Sequence, residues 1–240
     1  DAEVINLELG LADLAQIEKR RERLKKQMRT SKEAQAEDEA LARIQAVLEQ
    51  GGAARSIELS AEEALMIKPL GLLTAKPIIY ATNVSEDDLA AGNGFCENVV
   101  ALAEQEGAGT VRISAQVEAE LVELGEDERR DYLDGLGVNE GGLKSLIRAT
   151  YRLLGLRTYF TTGEKETRAW TFRAGMTAPQ AAGVIHTDFE RGFIRAQTIG
   201  CEKLLEAGSL SEARNKGWLR SEGKDYEVEE GDVMEFLFNV

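Results

Sequence analysis

The sequence predicts an α/β protein built in three parts. A long apolar stripe at helical spacing fills the first fifty residues. A short apolar run, Lys76 to Thr82, then opens a stretch where strands and helices alternate. At the end, Met234, Phe236, Phe238 and Val240 alternate with Glu235 and Asn239, the period of a strand with one buried face. With 240 residues and 43% hydrophobic side chains, the chain has material for more than one packed core.

The helical part comes first. Leu7, Leu11, Leu14, Ile17, Leu24 and Met28 follow one another in steps of three, four and seven, predicting a helix from Asn6 to about Met28. Thr30 to Lys32 supply a turn with hydroxyl caps. A second helix, from about Lys32 to Gln50, carries Leu41, Ile44, Val47 and Leu48 and stops at Gly51 and Gly52. Two helices joined by a short polar turn predict an antiparallel hairpin.

The middle, Ser60 to Leu156, reads as strand, helix, strand. Lys76–Thr82 is nearly continuously apolar, as a buried parallel strand is. Phe95–Glu106 has Val99, Val100, Leu102 and Ala103 at helical spacing and closes at Gly107, and Thr110–Ser114 is the next strand. A further helix from about Gly142 carries Leu143, Leu146, Ile147 and Leu154. Beyond Gly155, strands Arg157–Thr162 and Thr167–Arg173 flank the turn Gly163–Glu166. Thr177, Pro179 and Gln180 mark a helix start, with the helix running to about Asp188. Phe193–Ile199, Tyr226–Val228 and Val233–Val240 are extended. Hairpin, helix and further strands within so short a span is the order of a ubiquitin-like β-grasp module.

Charge and composition restrict the chemistry. The chain has 43 acidic and 29 basic side chains, a formal charge of −14, which disfavours nucleic-acid binding by overall field. One segment runs the other way. Lys19, Arg20, Arg21, Arg23, Lys25, Lys26, Arg29 and Lys32 are opposed only by Glu22. They read either as a solvated helix face or as a basic finger for a phosphate backbone such as ribosomal RNA. A coiled-coil docking seam along Leu7 to Met28 leaves that basic run unexplained. No apolar run approaches the ~18 residues of a membrane span, and no secretory leader is evident. Cys96 and Cys201 form no CxxC pair and read as structural thiols, and a lone His186 with two cysteines assembles no zinc site. His186 reads as a packing or capping residue, and Glu118, Glu120 and Glu123 as a solvated face. Neither GxxxxGK[ST] nor GxGxxG occurs.

What chemistry there is sits at strand ends. Asn83, Val84, Ser85 and Glu86 follow the first buried strand, and Ser114, Ala115 and Gln116 end the second. Open α/β sheets bind ligands outside the carboxyl ends of their strands. The two segments are similar to the base-reading motifs NKxD and SAK of P-loop GTPases. Longer stretches make the likeness specific: AEVINLELGLADL, SIELSAEEALMIKPLGLLTAKPIIYATNVSE, TYFTTGEKETRAWTF, TAPQAAGVIHTDFERGFIRAQTI and GKDYEVEEGDVMEFLFNV. Over essentially all its length the chain resembles the C-terminal two-thirds of the YchF/Obg-like ATPase family, Obg-related P-loop GTPases.

The resemblance implies a partial P-loop GTPase-like parallel sheet (residues 1–8 and 60–156), an inserted helical hairpin (9–59) and a TGS β-grasp domain (157–240). It implies an NxxE base site, with Asn83, Val84 and Glu86 facing Ser114, Ala115 and Gln116. There the Asn braces the loop, the Ala115 amide contacts the base, and Val84 and Glu86 abandon the guanine code and leave room for adenine. Glu86→Asp with Val84→Lys is then expected to favour GTP. The family binds ATP or GTP with Mg²⁺ and associates with the ribosome, so a cytoplasmic switch on the large subunit or ribosomal RNA is expected. Arg20, Arg21, Arg23, Lys25, Lys26 and Arg29 are the candidate contacts, and no sequence-specific DNA binding is expected. No catalytic or metal-ligating residue is expected in this sequence. The family's phosphate loop, switches, Mg²⁺ ligands and switch histidine would fall upstream of Asp1, so hydrolysis is not expected from these residues alone. As it stands, the chain is alternatively a non-catalytic RNA- or ribosome-binding module.

Overall fold

The computed structural model describes residues 1–163 and 166–239. Among them the chain is an α/β protein with one parallel and one mixed sheet. It divides into two compact units, Asp1–Leu146 and Ile147–Val240.

In the first unit, α1 (Ala2–Gln27) starts directly after Asp1. This corrects the helix start at Asn6. Its first turns carry exposed Val4 and Ile5, so helicity there leaves no burial pattern to read. α2 (Lys32–Glu49) is capped by Ser31, whose Oγ accepts from the Ala34 amide at 3.2 Å. The two helices run antiparallel, with Gly10 against Leu48 and Arg20 against Glu37. Ile17 and Leu24 meet Ala40, Leu41, Ile44 and Leu48 in the seam.

Leu7 and Leu11, expected in that stripe, are more than half exposed. The buried face is turned from them by roughly 100°, toward Gly10 and Asp13. Asp13 explains the turn. Its carboxylate, 1% exposed, accepts from the Leu73 and Thr74 amides at 2.8 Å each and from Thr74 Oγ1 at 2.6 Å. Thr74 Oγ1 in turn accepts from the Ala54 amide at 3.1 Å.

After α3 (Ala61–Ile67), β1 (Ile79–Asn83) pairs in parallel with β2 (Gly109–Ile113) across α4 (Gly94–Glu106). The expectation that β1 is buried is not met: Ile79 and Tyr80 are half-buried and Ala81 is exposed. Among the described residues this sheet has two strands, so apolar composition is not matched by cover. α5 (Ala115–Glu123), α6 (Glu126–Gly135) and α7 (Gly142–Leu153) follow. α6 was not readable, since EDERRDYLDG has no apolar period. Its start is fixed locally, by the Gly125 amide donating to Glu128 at 2.9 Å. Gly142 lets α7 begin against β2, where a Cβ would stand 2.9 Å from Ile113 Cα.

In the second unit, β3 (Leu156–Thr162) and β4 (Thr167–Arg173) form the expected antiparallel hairpin. Glu164 and Lys165 of its turn lie outside the described residues, as does Val240. α8 (Ala178–Ile185) has the Thr177/Gln180 capping box and Pro179 in its first turn. The helix does not reach Asp188. The backbone extends at His186 and restarts as α9 (Thr187–Arg191), with His186 Nδ1 accepting from the Asp188 amide at 3.2 Å. His186 is therefore a capping residue.

β5 (Phe193–Gly200), α10 (Cys201–Ala207), α11 (Leu210–Asn215), β6 (Arg220–Glu222) and β7 (Asp232–Phe238) complete the order β4-β3-β7-β5-β6. β7 lies parallel to β3 and antiparallel to β5. Tyr226–Val228 is not a strand. It is a loop in which Val228 fills the core and the Tyr226 hydroxyl donates to Asp232 at 2.8 Å. β7 is covered on both faces where one was expected. Met234 packs with Tyr159, Phe172 and Ala182, and Val233 packs with Ile199 and Ala213.

Candidate nucleotide-base site

β1 and β2 end side by side, with Asn83 in register with Ile113. The two sequence motifs therefore share the carboxyl edge of the parallel sheet. Asn83 Oδ1 accepts from the Ala115 amide at 3.0 Å, tying one motif to the other. Ser114 is buried, and its Oγ accepts from the Val117 amide at 3.4 Å to cap α5. The structure thus brings Asn83, Ser114 and Ala115 together.

The structure adds three contacts to these expectations. The Ala115 amide, expected to meet the base, donates to Asn83 Oδ1. Val84, expected to leave room for adenine, lies against β2 and α5. Its amide donates to Ile113 O at 2.8 Å and its side chain packs with Leu89, Val117 and Leu121. Gln116 is drawn along its helix, donating to Glu120 at 3.2 Å. The Glu86 carboxylate is half-buried with no hydrogen bond among the described residues.

Tyr132 was missed by sequence reading because α6 was. It packs beside Val84, and its hydroxyl donates to Glu120 at 2.5 Å. That bond pushes the Tyr132 pKa up to about 12, with the charges of Glu120 and Glu86 adding to the shift. The Glu120 carboxyl is lowered by the same bond and by the one from Gln116. At the other end of β1, the Tyr80 hydroxyl donates to Glu106 at 2.9 Å and accepts from Asn6 at 2.7 Å. Burial is the chief reason its pKa is raised.

On the hairpin the structure separates the basic residues. Arg20 donates to both Glu37 oxygens at 2.7 Å, and Arg21 reaches Asp38 at 2.8 and 3.2 Å and Gln45 at 2.7 Å. These bonds raise both guanidinium pKa values. Arg20 and Arg21 thus latch the two helices together. Lys25 pairs with Glu22. Lys19, Arg23 and Lys26 are exposed on the face opposite the seam, and Arg29 lies exposed past the helix end.

No group of three or more His, Cys, Asp or Glu residues placed to hold a metal ion occurs among the described residues. The sequence contains no phosphate loop to hold a triphosphate. Among the described residues no helix is long and apolar enough to cross a membrane.

The family model YchF-GTPase_C, described as a protein of unknown function (DUF933), matches residues 156–239. The chain is 48% identical over 244 residues to the Ribosome-binding ATPase YchF of Bacillus subtilis, covering 100% of the chain and 66% of the relative. The chain belongs to the YchF family. The protein of the same name from Escherichia coli O157:H7 is 48% identical over 241 residues, at the same coverage. The chain thus spans 66% of the length of these YchF relatives. The Schizosaccharomyces pombe YchF GTPase superposes with a TM-score of 0.83 at 32% identity, over 99% of this chain and 65% of that one. A GTP binding protein from Pyrococcus horikoshii OT3 shares the fold, with a TM-score of 0.55 at 20% identity over 100% of this chain and 71% of that one.

Proposed function

We propose that this chain supplies the base-recognising side of a nucleotide site and the ribosome-contacting elements of a cytoplasmic ATPase that uses ATP, and secondarily GTP, as a switch. The observation that carries the reading is the Asn83–Ala115 bond, which joins the ends of two parallel strands into one braced edge. Residues 60–156 belong to the nucleotide domain and 157–240 to a TGS-type β-grasp domain, a reading supported by the strand order β4-β3-β7-β5-β6. Relatives of 48% identity carry the name Ribosome-binding ATPase, and Lys19, Arg23, Lys26 and Arg29 offer an exposed basic face for ribosomal RNA of the large subunit. Phosphoryl transfer requires a phosphate loop, a lysine and Mg²⁺, which these residues do not provide, so no hydrolytic step is assigned to them.

Cosedimentation with ribosomes tests the reading. Replacing Lys19, Arg23 and Lys26 by Glu is expected to weaken binding and to reduce the log–log salt slope by about 2 to 3. Arg20→Gln should instead loosen the hairpin and leave the slope in place. A salt-independent interaction would overturn the RNA assignment. The base site is tested by adenosine titration, since a nucleoside needs no phosphate loop: Asn83→Ala should abolish whatever binding the chain shows. The exposed Lys19, Arg23 and Lys26 suit a second reading equally, a non-catalytic ribosome-binding module, for which ribosome affinity would be indifferent to ATP.

A further inference from the structure

The chain carries a formal charge of −14, yet the first two strands of the second unit reverse that sign. β3 and β4 read LRTYFTT and TRAWTFR, with Arg157, Arg168 and Arg173 and no acidic side chain. All three arginines are exposed, and none has an ion-pair partner among the described residues. β4 is outermost in its sheet, so its far edge is unpaired among the described residues. It is seven residues long, contains no proline, and pairs with β3 in unbroken register from Leu156↔Arg173 to Thr162↔Thr167. The opposite outer strand, β6, has three residues.

Native sheets blunt an open edge with bulges, prolines, covering loops or charge. β4 uses charge alone, which repels a second β4 but attracts a strand of opposite sign. One face of β4 carries the small exposed side chains Thr167, Ala169 and Thr171, the last beside the Tyr151 hydroxyl, and ends in Arg173; a strand added at the edge would lie about 4.8 Å away in the plane of the sheet. On the other face the Arg168 guanidinium lies 4.2 Å over the Trp170 ring, and Trp170 Nε1 donates to Thr161 Oγ1 at 2.8 Å. That cation is held in place before any partner arrives.

We propose that β4 is a docking edge for an acidic extended segment of a partner protein, which adds to the sheet as a strand and sets carboxylates against Arg168 and Arg173. These arginines are five positions apart, so they sit on opposite faces of the strand. The partner's carboxylates must be spaced by five as well. RNA shares the charge attraction, but it neither uses a main-chain edge nor depends on that spacing, so the seven-residue open edge favours a peptide.

The test is an NMR titration of the ¹⁵N-labelled chain with the acetylated, amidated peptide Thr-Glu-Val-Thr-Val-Thr-Glu-Thr. The expected result is chemical-shift change and slowed hydrogen exchange confined to β4 amides. Binding should fall at least tenfold for the isomer Thr-Glu-Val-Thr-Val-Glu-Thr-Thr, whose glutamates are one position closer. It should be lost in the Arg168→Glu, Arg173→Glu double variant, whose unchanged β5 and β7 amide pattern would certify the fold. Equal binding of the two isomers, equal binding of the lysine analogue, shifts outside β4, or no binding at millimolar peptide would each overturn the proposal. Displacement of the peptide by a single-stranded oligouridine at the same arginines would assign the surface to RNA and overturn it equally.

Discussion

The two sheets of this protein are held in different ways. In the five-stranded sheet, Tyr159, Phe172, Ala196, Ile199 and Met234 are at most 2% exposed, and helices pack on both faces. Packing sets the geometry there so firmly that Thr198 Oγ1 stays buried without a hydrogen-bond partner among the described residues. The two-stranded sheet has little such cover. Its strands are fixed instead by directed polar bonds: Asn83 to Ala115, Tyr80 to Glu106 and Asn6, and, just ahead of β1, Asp13 to Thr74. The candidate site belongs to the second kind. Such bonds each fix one atom, whereas a dense core resists any local change.

Stability measurements can break this contrast, because both tryptophans, Trp170 and Trp218, lie in the second unit and report on it alone. Phe172→Ala should produce the largest loss, about 3–5 kcal/mol, seen as an earlier fluorescence transition in urea. Asp13→Ala should cost about 3 kcal/mol by orphaning the buried Thr74 amide and hydroxyl and the part-buried Leu73 amide. That loss should show in far-UV circular dichroism and leave the fluorescence transition in place. If both probes shifted together, the two units would not be energetically separate.

Asn83→Ala should cost about 1 kcal/mol, the net value of one hydrogen bond, with exchange of the Ala115 amide accelerated more than that of its neighbours. Thr198→Val should have the opposite sign, a gain of up to about 1 kcal/mol, because it removes a buried hydroxyl that has no partner. The mildest effect is on titration. A group whose folded pKa is raised loses its contribution as pH climbs from the unfolded to the folded value. For Tyr132, raised to about 12 from 10.0, that window is pH 10 to 12. Glu120→Gln should bring the absorbance titration of Tyr132 back toward the ordinary tyrosine range.

What the sequence disclosed follows the same division. β3, β4 and the Thr177 capping box were legible because alternation and local turn chemistry determine them. α6, α10 and α11 were not, being short or polar helices; the starts of α6 and α11 rest on single side-chain bonds, to Glu128 and Ser209. The site motifs were legible as neighbours because they close consecutive parallel strands. Which of their atoms remain open was not, since Asn83 reaches Ala115 across 32 residues and Val84 turns inward onto α5. The pairing of the basic run was not legible. Composition displays the cations, but the acids that neutralise Arg20 and Arg21 are both 17 positions away, at Glu37 and Asp38. Only the antiparallel register reveals them.

The Asp13 clamp has a mechanical consequence. It grips α1 about midway, leaving 14 residues to Gln27, about 21 Å of helix at 1.5 Å per residue, which moves together with α2 through Ile17 and Leu24. A tilt of about 5° at the grip would carry the free end by about 2 Å. A cantilever of this kind converts a movement too small to reshape the sheet into a displacement large enough to make or break contacts at its tip.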